Sequence, residues 1–518
     1  MTSIKFGRRR LVKSLASGLL LPSVLPATSR AFVIRSSRPE VPSGVQTGDV
    51  TADRALIWSR TDRPARMQVQ WDTKESLSDA RTLISGIVDE STDYTARLDL
   101  SGLPSDQQVF YRVSFEDPDT GAMSEPVQGQ FRTAPSDRRN IRFIWSGDTA
   151  GHGWGINPDI GGMYIYESMR KFQPDFFVHC GDTIYAGSPI EENVTTPEGL
   201  PWRNIVTEAK SKVAETLADF RGNFQYNLLD DNVRRFNVEV PQIWLWDDND
   251  VTSNWSPTKQ LQAPYRERDI LALASRARRA YLEYAPIRKP IADPIGRIYR
   301  RISYGPLLDV IVVDERSYRG GNNYNLQTAQ VPQAAFLGPT QLQWLKDQLA
   351  QSTATWKVIA ADMPIGVVVR DVSDEQGRMQ YEAVANADDG GPKGRELEFA
   401  ELFSFIRSQD IRNIIWLTAD VHYAAANHYS PERGTYKDFN PFWEFIAGPL
   451  QAYGGGDDAM DMTFGPDVVF KRAQAGSSPL AGFMSFGQVQ IDGQTEELTV
   501  TLHDNEGAEV YRLVLPKA

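Results

Sequence analysis

Cysteine and histidine are scarce in this sequence. It has one cysteine, Cys180, which excludes an internal disulfide, and five histidines among 518 residues. Lys and Arg are outnumbered by Asp and Glu, and the formal charge is −12. Because nucleic-acid binding depends on clustered Lys and Arg, this balance argues against a stable nucleic-acid partner. What is present, 41% hydrophobic and 24% charged residues, is typical of a soluble globular protein with two or more domains.

The amino-terminal segment, residues 1–31, differs from the rest of the chain because no acidic residue precedes Glu40. Its Arg8-Arg9-Arg10 run, the apolar stretch 15–25 and the small residues at 27–31 resemble a twin-arginine export signal. The stretch is too short and too rich in Pro and Ser to span a bilayer, so we expect no transmembrane segment in the mature chain. The sequence therefore predicts export to the periplasm or the medium, with the twin-arginine translocase as a transient partner.

Two hydrophobic patterns divide the remaining chain. Residues 32–136 contain short alternating runs, such as 67–71 and 109–115, separated by turn-forming residues, which predicts an antiparallel β-sandwich domain. Residues 137–518 alternate continuous apolar runs with helical patterns, such as 340–349 and 396–406, which predicts an α/β layered domain. Alternating runs at 487–515 predict further antiparallel strands in the same sheet system.

Carboxylates follow many of the apolar runs. An aspartate comes shortly after each of six such runs: Asp148, Asp182, Asp248, Asp314, Asp362 and Asp420. The carboxyl ends of strands in an open α/β sheet form its ligand-binding edge, so these side chains are expected to converge. Several ionised carboxylates in one cleft repel one another, and bound cations resolve the conflict. Aspartates at strand ends also cap turns, which is the role we expect for Asp314, paired with Arg316 or Arg319, and for Asp362.

Four blocks make the pattern specific. Asp148, Gly181-Asp182 followed by Tyr185, Asp248-Asn249-Asp250, and Asp420-Val421-His422 resemble, in order, the metal-binding blocks of calcineurin-like metallophosphoesterases. The third and fourth blocks are most similar to PhoD-type alkaline phosphatases and phosphodiesterases. The resemblance extends through the amino-terminal part. It implies an α/β (α+β) layered metallophosphoesterase sandwich preceded by a fibronectin III-like β-sandwich.

The resemblance also implies a ligand set. A first ion, Fe³⁺, is expected on Asp148, Asp182, Tyr185 and His422. Asp182 is expected to bridge to a second centre of one or two Ca²⁺ ions, held also by Asp248, Asp420 and Asn254, with Mn²⁺ or Mg²⁺ as substitutes. Hard oxygen donors favour these ions and a phenolate favours Fe³⁺, which agrees with the scarcity of sulfur and imidazole.

The implied activity is hydrolysis of phosphate monoesters, diesters or both, by a metal-bridged hydroxide attacking phosphorus and with inorganic phosphate as the product of monoesters. Two alternatives remain open at this stage: a catalytically silent metal-binding cell-surface protein, and a phospholipase D-like or phosphonate-ester hydrolase. Among residues outside the ligand set, His152 is expected to touch the substrate, and Arg203 and Arg221 are candidate phosphate clamps.

One position departs from the family pattern. Asn249 stands where relatives carry a histidine, and an amide can donate a hydrogen bond but cannot deliver a proton. Protonation of the leaving group then depends on Asp250 or water, or is unnecessary for acidic leaving groups. The expected consequence is a narrower substrate range.

Overall fold

The computed structural model of the protein describes residues 38–288, 296–374, 376–456 and 458–518, and the export signal predicted at residues 1–31 lies outside these ranges. The strands of the described residues are β1 (Val45–Gly48), β2 (Arg54–Arg60), β3 (Ala65–Asp72), β4 (Arg81–Val88), β5 (Thr95–Ser101), β6 (Gln108–Glu116), β7 (Val127–Arg132), β8 (Ile141–Ser146), β9 (Phe176–Cys180), β10 (Asn193–Thr195), β11 (Pro201–Arg203), β12 (Gln242–Leu245), β13 (Arg300–Ser303), β14 (Leu308–Val312), β15 (Trp356–Ala360), β16 (Arg370–Ser373), β17 (Met379–Tyr381), β18 (Ile414–Thr418), β19 (Ala424–Tyr429), β20 (Phe442–Ile446), β21 (Pro466–Arg472), β22 (Ser485–Ile491), β23 (Leu498–Asp504) and β24 (Glu509–Leu515). The α-helices are α1 (Ile165–Arg170), α2 (Leu217–Asn227), α3 (Asp231–Glu239), α4 (Ile270–Tyr284), α5 (Pro339–Gln351) and α6 (Glu396–Ser408).

Two large mixed sheets form the centre of the fold. One has nine strands in the order β24-β23-β22-β8-β9-β12-β1-β2-β5, and the other has seven in the order β13-β14-β15-β18-β20-β19-β21. Phe143 and Trp145 of β8 lie in the core between the sheets, whereas Ile144 faces the layer of α1–α4. Helices α5 and α6 cover the outer face of the second sheet. The predicted α/β layered sandwich is therefore confirmed.

Local sequence signals fix where helices begin. The Thr216 side chain accepts a hydrogen bond from the Asp219 amide, and the Asp219 carboxylate accepts one from the Thr216 amide, so α2 starts with a capping box. Asp230 and Asp269 cap α3 and α4 in the same region of the chain. These helices cover the sheet that carries β8, β9 and β12.

The amino-terminal β-sandwich predicted from the alternating runs is present. Strands β4-β3-β6-β7 form a separate sheet, and their apolar side chains share a core with β1, β2 and β5. However, β1 pairs in parallel with β12 through Gly48 and Gln242, so one layer of this sandwich continues into the nine-stranded sheet. Glycine is required at position 48, because a Cβ atom there would lie 1.8 Å from the carbonyl oxygen of Pro286. The domain boundary at 136/137 stays a prediction.

The carboxyl-terminal strands complete the same sheet, as predicted. β22 pairs antiparallel with β8, with Ile491 opposite Ile141, and β23 and β24 extend the sheet outward. β8, β9 and β12 are parallel neighbours, and β14, β15 and β18 are parallel neighbours in the second sheet. Their carboxyl ends therefore lie along one edge of each sheet, where the chain leaves the core.

Candidate metal centre

The turns at this edge hold candidate metal ligands in an uncommon backbone conformation. Asp148 after β8, Asp182 after β9, and Asp420 and His422 after β18 all have positive φ angles, of 69°, 50°, 60° and 61°. Residues with a Cβ atom rarely adopt this left-handed backbone conformation, and such strain concentrates at functional sites. The turns bring side chains from both sheets to a common centre.

A first group of possible ligands contains Asp148, Asp182 and His422, whose candidate ligand atoms all lie within 4.8 Å of one another. The Tyr185 hydroxyl lies 3.3 Å from Asp148 Oδ1 and 2.7 Å from His422 Nε2. His422 Nδ1 lies 2.9 Å from the Tyr453 carbonyl oxygen. Because a carbonyl only accepts, Nδ1 carries the proton and Nε2 turns its lone pair toward the acidic group, the arrangement of a metal-ligating histidine.

A second group contains Asp182, Asp247 and Asp248, again with candidate ligand atoms within 4.8 Å. Asp182 belongs to both groups, which is the position of a residue that bridges two ions. The Asn249 side-chain amide connects the carboxylates, with Nδ2 lying 3.0 Å from Asp182 Oδ2 and 3.2 Å from Asp248 Oδ1. Its backbone amide also donates to Asp182 Oδ1, at 3.0 Å. Asn249 therefore holds the two carboxylates together.

The electrostatics of these groups fit cations. Burial, followed by the charges of Asp248 and Asp148, raises the pKa of Asp182 well above its usual range. Burial and the charge of Asp182 likewise raise the pKa of the Tyr185 phenol. Asp148 Oδ2 and Asn249 Oδ1 are buried and have no hydrogen-bond partner among the described residues. Buried acceptors without donors are costly, and metal ions would satisfy them, so the residues present fit a metal centre.

Arg316 lies beside the second group and is fully buried. Its guanidinium is 2.6 Å from Asp247 and 2.6 Å from Asp362, also pairs with Glu382, and lies 3.3 Å from Asp420. One arginine therefore connects acids from the ends of β12, β15 and β18. The prediction that Asp314 forms an ion pair with Arg316 or Arg319 is wrong. The Asp314 carboxylate accepts instead from the Arg316 backbone amide and the Trp246 indole. The Arg319 guanidinium donates to the Asn322 side chain and the Glu382 carbonyl. Asp314 caps a turn, as the other part of that prediction states.

The residues proposed for acid–base chemistry lie close to these groups. Asp250 accepts from Thr183 and the Ile184 amide with one oxygen and from the Asp247 amide with the other, so it fastens the turns after β9 and β12. Burial raises the pKa of Asp250 to about 7. The His152 ring centroid lies 4.8 Å from that of Tyr185. Burial, together with the neighbouring His422 and Lys210, lowers the pKa of His152 to about 2, so this imidazole is neutral.

Three predicted site residues have other partners. Arg203 pairs with Asp159, and Arg221 pairs with Glu283. No ion pair or hydrogen bond among the described residues joins either guanidinium to the acidic groups. Asn254 contacts the second group through its backbone amide, which donates to Asp248, while its side-chain amide donates to Asp371 at 3.1 Å. The Asn254 side chain therefore serves as a hydrogen-bond donor that connects its loop to Asp371.

Four residues near the centre were not predicted as functional. Asp247 directly precedes the third block, and Arg316 was considered only as a partner of Asp314, so neither was given a role at the centre. Buried Lys210 donates to the Tyr185 carbonyl at 3.1 Å, and burial lowers its pKa to about 7. The fourth is Tyr453, whose ring lies against His152. Nothing in the local sequence around Lys210 or Tyr453 marks them, because both act through contacts distant in the chain.

Comparisons with known proteins agree with this geometry. The family model of PhoD-like phosphatases matches residues 143–502, and the model of their N-terminal domain matches residues 27–135. The chain belongs to the PhoD-like phosphatase family. Alkaline phosphatase D of Bacillus subtilis (strain 168) is 26% identical over 490 residues, covering 88% of this chain and 77% of that protein. A solved structure of PhoD superposes with a TM-score of 0.70 at 20% identity, covering 93% of this chain and 91% of the other.

Membership of the PhoD-like phosphatases settles the reaction class. The chain is a metal-dependent hydrolase of phosphoric esters, with small phosphoesters as its substrates, and its two acidic groups could hold metal ions. Within the described residues, every helix is too short or too polar to cross a bilayer.

Proposed function

We propose that the protein is an exported phosphoesterase that hydrolyses phosphate monoesters, diesters or both at a two-metal centre. The observation that supports this most strongly is the pair of acidic groups that share Asp182 at the meeting edge of the two sheets. In this proposal Fe³⁺ is held by Asp148, Asp182, Tyr185 and His422, and Ca²⁺ by Asp182 together with Asp248 and Asp420. Bound metals supply an activated water and positive charge for phosphate oxygens.

The chain's own residues define the rest of the site. The Asn249 side-chain amide donates to both Asp182 and Asp248 and so holds the two carboxylates close together. The neutral His152 ring lies next to Tyr185 and His422, where it can contact a substrate oxygen. Because Asp250 already accepts hydrogen bonds with both oxygens, we propose that esters with acidic leaving groups, which need no proton donor, are the better substrates.

The function is tested with the purified full chain loaded with Fe³⁺ and Ca²⁺. Offered p-nitrophenyl phosphate and bis(p-nitrophenyl) phosphate, it is expected to release p-nitrophenol from at least one of them. The ratio of the two rates separates monoesterase from diesterase activity. Absence of turnover at every pH from 6 to 10, with metal occupancy verified by elemental analysis, would show that the protein is a silent metal binder.

Iron at the first group is expected to give the protein a visible colour. A phenolate bound to Fe³⁺ produces a charge-transfer absorption band, so the Tyr185→Phe variant should lose this band while the iron-loaded wild type shows it. Tyr281→Phe is the matched control, since Tyr281 is equally buried and its hydroxyl has no hydrogen-bond partner among the described residues. A band retained in Tyr185→Phe would contradict the assignment of Tyr185.

Export through the twin-arginine route predicts a dependence on the arginine pair. Replacing Arg8 and Arg9 together by lysine is expected to leave the protein in the cytoplasm, because the signal requires arginine rather than positive charge alone. Fractionation of cells followed by immunoblotting measures the distribution. Replacing Lys5 and Lys13 by arginine serves as the charge-matched control, and equal export of the Arg8/Arg9 variant would exclude this route.

A further inference from the structure

Tyr453 occupies the rim of the metal centre. Its ring centroid lies 4.2 Å from that of His152 and 4.9 Å from that of His422, and 38% of the residue is exposed. Its carbonyl accepts from His422 Nδ1, so backbone and side chain both lie at the site. None of the described residues hydrogen-bonds to its hydroxyl, in contrast to the phenol of Tyr185 below it. Tyr453 therefore combines contact with the centre and access to solvent.

The position of Tyr453 is fixed by the glycines that follow it. The Gly455 amide donates to the His422 carbonyl at 2.7 Å, and a Cβ atom at Gly455 would lie 1.9 Å from the Val421 carbonyl oxygen. A Cβ atom at Gly454 would lie 2.2 Å from Ser477 Oγ. The segment can approach the turn after β18 this closely only with glycine at position 455, while Gly454 allows the close contact with Ser477. Tyr453 is thus held on a closely packed segment at the edge of the centre.

Hydrogen-bond donors for an anionic substrate are scarce here. The guanidinium of Arg316 is buried among carboxylates, and those of Arg203 and Arg221 are paired elsewhere. The Asn249 amide is occupied by Asp182 and Asp248. The charged oxygens of a phosphoryl group are hydrogen-bond acceptors, so the group gains from each donor at the rim. Tyr453 supplies a donor that no other described residue uses.

We propose that Tyr453 contacts the substrate, with its hydroxyl donating a hydrogen bond to a phosphoryl oxygen beside His152. The inference rests on the proposed function, because it assigns a substrate-binding role within that same centre. The Tyr453 hydroxyl also gives the site a hydrogen-bond donor from the protein, beside the positive charge of any metal ions. The ligand recognised is the phosphoryl group itself, so free inorganic phosphate and phosphate esters are both expected to bind through Tyr453.

The test uses the full chain with its metals and the Tyr453→Phe variant, which removes one oxygen and leaves the backbone contact to His422. Inorganic phosphate is titrated by calorimetry, and KM and kcat are measured with p-nitrophenyl phosphate. A hydrogen bond to a charged group corresponds to about a 10-fold loss, so the Kd of phosphate and KM should both rise about 10-fold. Metal content and kcat are expected to stay near wild-type values.

The control is Tyr511→Phe, because Tyr511 is a half-buried tyrosine on β24 that stacks on Phe470. It should leave the Kd of phosphate unchanged. A wild type that binds phosphate but hydrolyses nothing, together with weaker binding in Tyr453→Phe, would overturn the proposed function and support the role of Tyr453. A Kd for phosphate within about 2-fold of wild type in Tyr453→Phe, or loss of metal from that variant, would overturn the role of Tyr453.

Discussion

Replacing Asp182 by asparagine is expected to lower kcat by about 1,000-fold or more and to remove both metals. Asp182 is the one residue common to the two acidic groups, and an amide lacks the negative charge that both ions require. A 1,000-fold loss corresponds to about 4 kcal/mol of transition-state stabilisation, the size expected when metal-ion catalysis fails. Elemental analysis and initial rates with p-nitrophenyl phosphate measure the two effects separately.

The matched control for Asp182→Asn is Asp309→Asn. Asp309 is a buried aspartate whose carboxylate accepts a hydrogen bond from Ser352 at 2.6 Å. It lies near the start of β14, away from the carboxyl end of the strand. Its replacement should change kcat by less than about 3-fold. If Asp182→Asn kept both metals and wild-type kcat, the assignment of Asp182 as a bridging ligand would be wrong, and so would the two-metal centre built on it.

Replacing Arg316 by methionine is expected to reduce the free energy of unfolding of the metal-free protein by about 3–5 kcal/mol. The side chain is 0% exposed, and its removal leaves Asp247, Asp362 and Glu382 buried without their shared cation. This loss is a large share of the roughly 5–15 kcal/mol that stabilises a typical domain. Urea unfolding in the presence of a chelator measures it, since added metal would partly replace the missing charge.

Two further variants define what the Arg316 result means. Arg316→Lys keeps the charge but cannot reach several carboxylates in a planar fork, so an intermediate loss is expected. Arg203→Met removes an exposed ion pair with Asp159 and should cost no more than about 1 kcal/mol. An Arg316→Met protein as stable as the Arg203→Met protein would mean that the acids around position 316 are protonated and need no cation.

Much of the catalytic fold could be predicted because the central strands of both large sheets are buried on both faces. The continuous apolar runs before Asp148, Asp182 and Asp420 correspond to β8, β9 and β18. Parallel pairing places the ends of β8 and β9 side by side, and the packing of the two sheets brings the end of β18 to them. Helices α5 and α6 coincide with the predicted helical patterns. By contrast, the four-residue strand β1 carries no pattern that distinguishes a separate sandwich from a continuous sheet, so its pairing with β12 could not be predicted.

The candidate site was predicted less completely, for a different physical reason. Ligand positions follow from strand ends, but the partner of a charged side chain depends on three-dimensional proximity. Arg203 and Arg221 were candidate phosphate clamps by residue type, yet each pairs with a nearby carboxylate. Arg316, one of the two partners predicted for Asp314, pairs instead with Asp362 and Glu382, which are distant along the chain. Tyr453 could not be predicted, because its contacts form only when the segment with Gly454 and Gly455 packs against His422.

The nine-stranded sheet takes its strands from both ends of the chain. β1 pairs with β12, and β8 pairs with β22, whose last residue is Ile491. During translation β8 therefore keeps one unpaired edge on the ribosome until the chain has been made through β22.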